Sequence, residues 1–216
     1  MLNLLDTTVH PQTSTEDSPG ELDTKSKILH AAIQEFSKRG YSGASLRQIT
    51  TLANVKHGLV KYHFQSKDGL WRACIVYVFE QFKKTSWLAN NQWEGMSMRE
   101  KTEHVLRSYV EFLGKNPRLT KLIENEGMND NERLDWLSQN FLIPHIERAI
   151  EWIKKGQDAG VYPANLPAMN IFYALLGALR NIFFNAAQVH KVFGVDVLSD
   201  QEIKHQQDTI VHLFLR

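Results

Sequence analysis

The sequence predicts an all-α chain of roughly nine or ten helices, with a small three-helix unit ahead of a larger helical bundle. Three observations carry that prediction. Apolar residues recur at spacings of three and four along nearly the whole chain, strand-like alternation is almost absent, and glycines and prolines fall where helices would end.

The chain has 216 residues, 43% hydrophobic and 23% charged, the composition of an ordinary globular protein. No apolar run approaches the ~18–20 residues that cross a bilayer. The opening "MLNLLDTTVHPQTSTEDSPGELD" has neither a basic start nor a long apolar stretch. It reads as a disordered tail over residues 1–22 and as a poor signal peptide. A single cysteine, Cys74, allows no internal disulfide and offers no metal cluster. A cytoplasmic protein without metal, cofactor or membrane segment is expected.

The first helix is expected from about Thr24 to Arg39, with Ile28, Leu29, Ala32, Ile33 and Phe36 on one stripe. Gly40 sits where a residue with positive φ would end it. Ser45-Leu46-Arg47-Gln48 fits a capping box, so a second helix opens after Ser45 and ends near Ala53, with Asn54 taking the left-handed conformation. A third helix is expected from about His57 to His63. Ser66 then caps a fourth that runs from Lys67 toward Asn90, with Leu70, Ala73, Cys74, Tyr77, Val78 and Phe82 on its inner side. Further helices are expected near 97–115, 118–127, 131–143, 144–159, 167–190 and 199–215, with Pro117, Pro144 and Pro167 in first turns.

The charge is uneven. Thr24 to Lys84 holds 11 Lys and Arg against 3 Asp and Glu, a net +8, while the rest of the chain is net −7. Such asymmetry points to a polyanion-binding segment joined to an acidic one. Within the basic part, "LANVKHGLVKYHFQSKDGLW" (52–71) packs three lysines, two histidines and a tyrosine into twenty residues. Two short helices joined by about three residues, the second basic and aromatic, describe a helix-turn-helix. Ile49, Leu52, Val55, Val60 and Phe64 supply its thin buried side. Gly58 would let the backbone approach a groove closely.

"ILHAAIQEFSKRGYSGASLRQI", "ANV", Gly58 and "YHFQSKDGL" together resemble the DNA-binding domain of the TetR family of bacterial regulators. The resemblance implies a helix-turn-helix DNA-binding domain at 23–66 and a ligand-binding and dimerisation domain at 67–216. It implies phosphate contacts from Ser45, Tyr62, His63 and Lys67, to which Lys61 adds a further cation in place of a family tyrosine. Arg47, Lys56 and His57 are then candidates for base edges and Leu59 for a thymine methyl. Three departures stand out: Asn54 replaces a turn glycine, Thr50 a smaller residue, and Lys56 a capping serine.

The same resemblance implies a homodimer on a palindromic operator, most often as a repressor, released by an unknown small-molecule effector. Trp87, Tyr109, Phe112, Trp136 and Phe172 are candidate lining residues for a mostly apolar or aromatic ligand. Glu126, in "RLTKLIENEG", reads either as an inward acid or, the favoured reading, as a surface carboxylate. "LPAMNIFYALLGALRNIFFNAAQ" is apolar on most faces and must be buried in the fold or against a second subunit. Leu175, Leu176, Leu179, Ile182 and Phe183, with Val211 and Phe214 of the last helix, are the candidate dimer contacts.

No nucleophile elbow, phosphate-cradling glycine loop or HExxH motif is present. The expectation is therefore a regulator and not an enzyme. Two other readings stay open: a nonspecific or architectural DNA binder without ligand response, and a helical ligand-binding protein or enzyme that keeps this N-terminus.

Overall fold

Apolar stripes decide where each helix lies, and the computed structural model describes them over residues 19–85 and 93–216. The candidate Trp87 and most of the predicted tail lie outside the described residues. Helix α1 (Pro19–Gly43) starts inside the stretch assigned to the tail, and it breaks at Gly40, whose φ of 69° suits glycine alone. Ile28, Ala31, Ala32, Ile33 and Phe36 are buried along its stripe.

Helix α2 (Leu46–Ala53) begins with the predicted capping box in full, since Ser45 Oγ accepts from the Gln48 amide and Gln48 Oε1 accepts from the Ser45 amide. It ends at Asn54 in the left-handed conformation, φ 54° and ψ 48°. Its buried face is Ile49, Thr50 and Ala53. Leu52 is 45% exposed, contrary to expectation, because it falls about 110° around the helix from the centre of that face. Helix α3 (Gly58–Phe64) buries only Val60 and Phe64. Helix α4 (Lys67–Thr85) opens with Ser66 Oγ accepting from the Gly69 amide at 2.9 Å. Leu70, Trp71, Cys74, Ile75 and Val78 are its buried residues; Trp71 and Ile75 are additions to the predicted inner side. Burial pushes the Cys74 thiol well above the usual range, so it is an inert core residue.

The chain divides into two compact units. The first holds the residues up to Glu80 together with Lys121–Asn129, and the second holds Gln81–Thr120 and Asp130–Arg216. This division falls within α4. In the first unit, the Asn125 side-chain amide donates to the Phe36 and Ser37 carbonyls, at 3.5 and 3.4 Å, just before the break in α1. Phe36 stacks on Tyr41, which meets Trp71 edge-on.

The second unit contains α5 (Met98–Lys115), the start of α6 (Pro117–Gly127), α7 (Glu132–Leu137), α8 (Ile143–Asp158), α9 (Ala168–Phe184), α10 (Ala186–Phe193) and α11 (Asp200–Phe214). Two predicted helices are not continuous α-helix. The 131–143 segment turns π-helical over Ser138–Leu142, and the 167–190 segment breaks at Asn185. The Asn185 side-chain amide donates back to the Asn181 carbonyl and side-chain oxygen, a local bond that competes with the helical ladder. Pro144 lies in the first turn of α8, whereas Pro167 is the extended N-cap of α9.

The core of this unit draws Leu106, Val110 and Leu113 from α5, Leu175, Leu179 and Phe183 from α9, and Ile203, Ile210 and Val211 from α11. This corrects the dimer assignment of Leu175, Leu179, Phe183 and Val211. At 3–7% exposure their surface is spent inside the chain, and little remains for a second copy. Leu176, Ile182 and Phe214 keep partial exposure. The large exposed apolar side chains on α9, α10 and α11 are instead Met169, Tyr173, Val192, Phe193 and Leu213.

Gly114 permits the close approach of α5 to α11, for a Cβ there would lie 2.6 Å from Ile203 Cγ1 and 3.2 Å from Phe183 Cε1. Gly114→Val is expected to destabilise the protein by about 1–3 kcal/mol through overpacking. Thermal unfolding reads the loss, and adding Ile203→Ala should recover part of it. An unchanged Tm in Gly114→Val would refute this account of the contact.

Candidate nucleic-acid interface and aromatic cluster

Because α3 spends only Val60 and Phe64 on the core, its remaining surface is free to face outward. Lys56, His57, Gly58, Lys61 and Tyr62 are exposed, Tyr62 by 68%, and Leu59 and His63 are half-buried. A Cβ on Gly58 would meet nothing within 4 Å, so inside the chain nothing demands glycine there. On α2, Arg47 and Gln48 are exposed beside the cap. These side chains put three lysine or arginine cations and three polar rings on two short helices and the turn between them, the composition that meets phosphates and groove edges.

Several candidates already have protein partners. Ser45 Oγ donates to Gln48 Oε1 at 2.8 Å, so its proton must leave the capping box before it can meet a phosphate. The Lys67 ammonium sits 4.5 Å over the Tyr41 ring. The rings of Tyr62 and His63 meet edge-on at 4.8 Å. The lost serine cap is visible too: the N-cap of α3 is His57, which makes no side-chain capping bond.

One feature escapes the sequence. Gln65 takes φ 65° and ψ −45°, and the Ser66 amide donates to the Phe64 carbonyl at 2.7 Å, a strained γ-turn that fixes how α3 hands over to α4. A glutamine gives no signal for a positive φ. Gln65→Gly is expected to stabilise the protein by about 0.5–2 kcal/mol, measured as a raised denaturant midpoint, since glycine holds this conformation without strain. A lowered midpoint would contradict the assigned strain.

The ligand candidates separate into groups. Phe82, in the last turn of α4, meets Tyr109 and Phe112 of α5, each at 5.2 Å, and His145 of α8 at 5.3 Å, all edge-on. Trp136 pairs with Phe141 of the π-helical turn, and Phe172 with Tyr173. Glu126 belongs to the first unit and is only 3% exposed, which overturns the favoured reading of a surface carboxylate. Trp93 and Trp152 form another pair, with Trp152 Nε1 donating to Thr102 Oγ1 at 3.2 Å.

Burial, with the Arg148 charge behind it, holds His145 below the usual imidazole range. The unfolded chain then binds the extra proton, so His145 contributes stability above the ordinary pKa of about 6.5 that is lost as pH falls through it. His145→Phe should flatten the fall in Tm between about pH 7 and pH 5, and equal pH profiles for the two proteins would refute it.

The capped α2, the short outward-facing α3 and the separate all-helical unit define a helix-turn-helix protein with a helical companion domain. The family model described as "Bacterial regulatory proteins, tetR family" matches residues 28–74, and that of the "Tetracyclin repressor-like, C-terminal domain" matches residues 99–213. The chain belongs to the TetR family.

Among its relatives is YttP of Bacillus subtilis, named a probable HTH-type transcriptional regulator, 24% identical over 57% of this chain and 59% of that one. The HTH-type transcriptional repressor NicS of Pseudomonas putida is 28% identical over 49% of each. The chain therefore matches about half the length of these curated relatives. The fold is shared with the transcriptional regulator FadR from Bacillus subtilis, solved in complex with stearoyl-CoA, at a TM-score of 0.64 and 14% identity, over 88% of this chain and 97% of that one.

Proposed function

We propose that this protein is a one-component transcriptional regulator, acting as a repressor, that binds a palindromic operator as a homodimer and leaves it when a small apolar or aromatic effector binds. The observation that carries the reading is α3. A seven-residue helix with two buried residues and an outward face of Lys61 and Tyr62, led in by the exposed Lys56 and His57, is poorly explained by packing alone. Lys61, Tyr62, His63, Lys67 and Ser45 serve the phosphates, and Arg47, Lys56 and His57 the base edges, with Leu59 against a thymine methyl. Two such helices reach half-sites about one turn, ~34 Å, apart only in a dimer. The exposed Met169, Tyr173, Val192, Phe193 and Leu213 supply apolar surface for it.

The effector region is the cluster around Phe82, with Tyr109 and Phe112. The stearoyl-CoA in the FadR structure supports ligand binding by a bundle of this kind. Helix α4 starts one short turn after α3 and ends with Phe82 in that cluster, which makes it the lever between the two sites. An effector lowers operator affinity only as far as it prefers the arrangement that does not bind DNA. The protein acts in the cytoplasm, where the DNA is, and no step of this scheme is catalytic. No described helix is long and apolar enough to cross a membrane.

The test is DNase footprinting of genomic fragments captured by the full-length protein. Protection of two related half-sites one turn apart supports the reading. Even, unpatterned protection would replace it with a nonspecific DNA binder.

A further inference from the structure

The capping box at the start of α2 fixes more than the helix. Gln48 Oε1 accepts from the Ser45 amide at 3.2 Å and from the Ser45 hydroxyl at 2.8 Å. A backbone N–H is met only by an acceptor, so the carboxamide oxygen, and not its nitrogen, faces Ser45. The same hydroxyl oxygen accepts from the Gln48 amide at 3.2 Å. The Ser45 proton is therefore committed inside the box. On Gln48 the oxygen is spent on Ser45, while Nε2 carries two N–H donors that meet no protein acceptor among the described residues. Both residues are exposed, next to the exposed Arg47.

We infer that Gln48 is a direct DNA contact, its carboxamide N–H donating to a backbone phosphate oxygen, with Ser45 as the positioning residue that turns the amide outward. This deepens the proposed DNA-binding surface and rests on it. Ser45 then serves the phosphate through Gln48 and not by its own hydroxyl. A free glutamine loses rotamer freedom when it binds, but the bonds to Ser45 have removed that freedom during folding. The choice of phosphate over base edge follows from reach. The first helix of a helix-turn-helix crosses the DNA backbone. A glutamine folded back onto its own N-cap lacks the extension for the groove floor, which is left to the neighbouring Arg47. A neutral donor on a phosphate adds affinity on every sequence without the counterion release that a lysine brings.

The experiment is fluorescence anisotropy of the full-length protein on a captured genomic duplex and a mixed-sequence duplex, over a salt series. Gln48→Glu keeps the capping box, since glutamate serves at this position as glutamine does, and an acid suits the first turn. It exchanges the two donors for a repelling oxygen. Its Tm should not fall, while its affinity drops about tenfold or more on both duplexes. Gln48→Met, neutral and without donors, should bind about threefold to tenfold more weakly on both, with an unchanged salt slope. Ser45→Ala should weaken the parent yet cost nothing further in Gln48→Met, and Ser45→Thr, still a cap, should bind as the parent does. Unchanged affinity in Gln48→Glu, or in a folded Gln48→Met, would overturn the inference. A loss on one sequence alone would overturn the phosphate assignment, and additive losses from Ser45→Ala and Gln48→Met would overturn the positioning role. Should Lys61→Glu weaken binding while the Gln48 variants do not, only Gln48 leaves the interface. A parent protein that binds neither duplex would overturn the DNA-binding surface as well.

Discussion

Lys61→Glu is expected to lower affinity for duplex DNA by about tenfold to a hundredfold at low salt. Lys61 is exposed on the outer face of α3, and a phosphate contact there releases counterions on binding. Reversing the charge removes that release and adds repulsion. The plot of log affinity against log salt should also flatten by about one unit or more, because the slope follows the number of neutralised phosphates. Fluorescence anisotropy over a salt series measures both quantities. The loss should be nearly the same on every sequence, since a phosphate contact carries no base information. A loss confined to one sequence would move Lys61 to the base edges, and no loss would remove it from the interface.

If the proposed homodimer uses the exposed apolar surface of α9 and α11, Tyr173→Asp combined with Leu213→Asp is expected to leave monomers and to weaken operator binding by two orders of magnitude or more. Tyr173 is 55% exposed and Leu213 72% exposed, so neither change empties the core. Charges placed in an apolar interface lose their water without gaining partners, at a cost of several kcal/mol. A monomer also forfeits the gain from joining two half-site contacts in one particle. Analytical ultracentrifugation reads the assembly state, and the far-ultraviolet helical signal should be unchanged. A variant that stays dimeric would place the interface elsewhere on the chain.

The helix-turn-helix was legible because each of its devices is local. A capping box, a left-handed Asn54 and a positive-φ Gly40 are written within four residues of where they act, and all three are present. Leu52 faces outward against expectation because the two turns of α2 leave little sequence from which to fix the face. The burial of α9 was legible as well, but not its destination. A helix apolar all round gives the same pattern whether it meets its own core or a second copy, and only the packing of Leu175, Leu179 and Phe183 against α5 and α11 decides between them. The aromatic cluster was half-legible. Tyr109 and Phe112 stood out by residue type, while Phe82 and His145 join them through contacts across 27 to 63 residues of chain. The γ-turn at Gln65 and the buried Glu126 are set by tertiary packing and left no trace in spacing.

Sequence-specific reading of DNA by α2 and α3 is tested by selection. The full-length protein and its Arg47→Ala variant are each used to select duplexes from a random pool, which are then sequenced. A two-fold symmetric motif is expected for the parent protein. In the variant that motif should persist with relaxed preference at one position in each half-site, at a cost of about 1–3 kcal/mol per lost bidentate contact. Selection of no motif, with binding that only fades as salt rises, would contradict it.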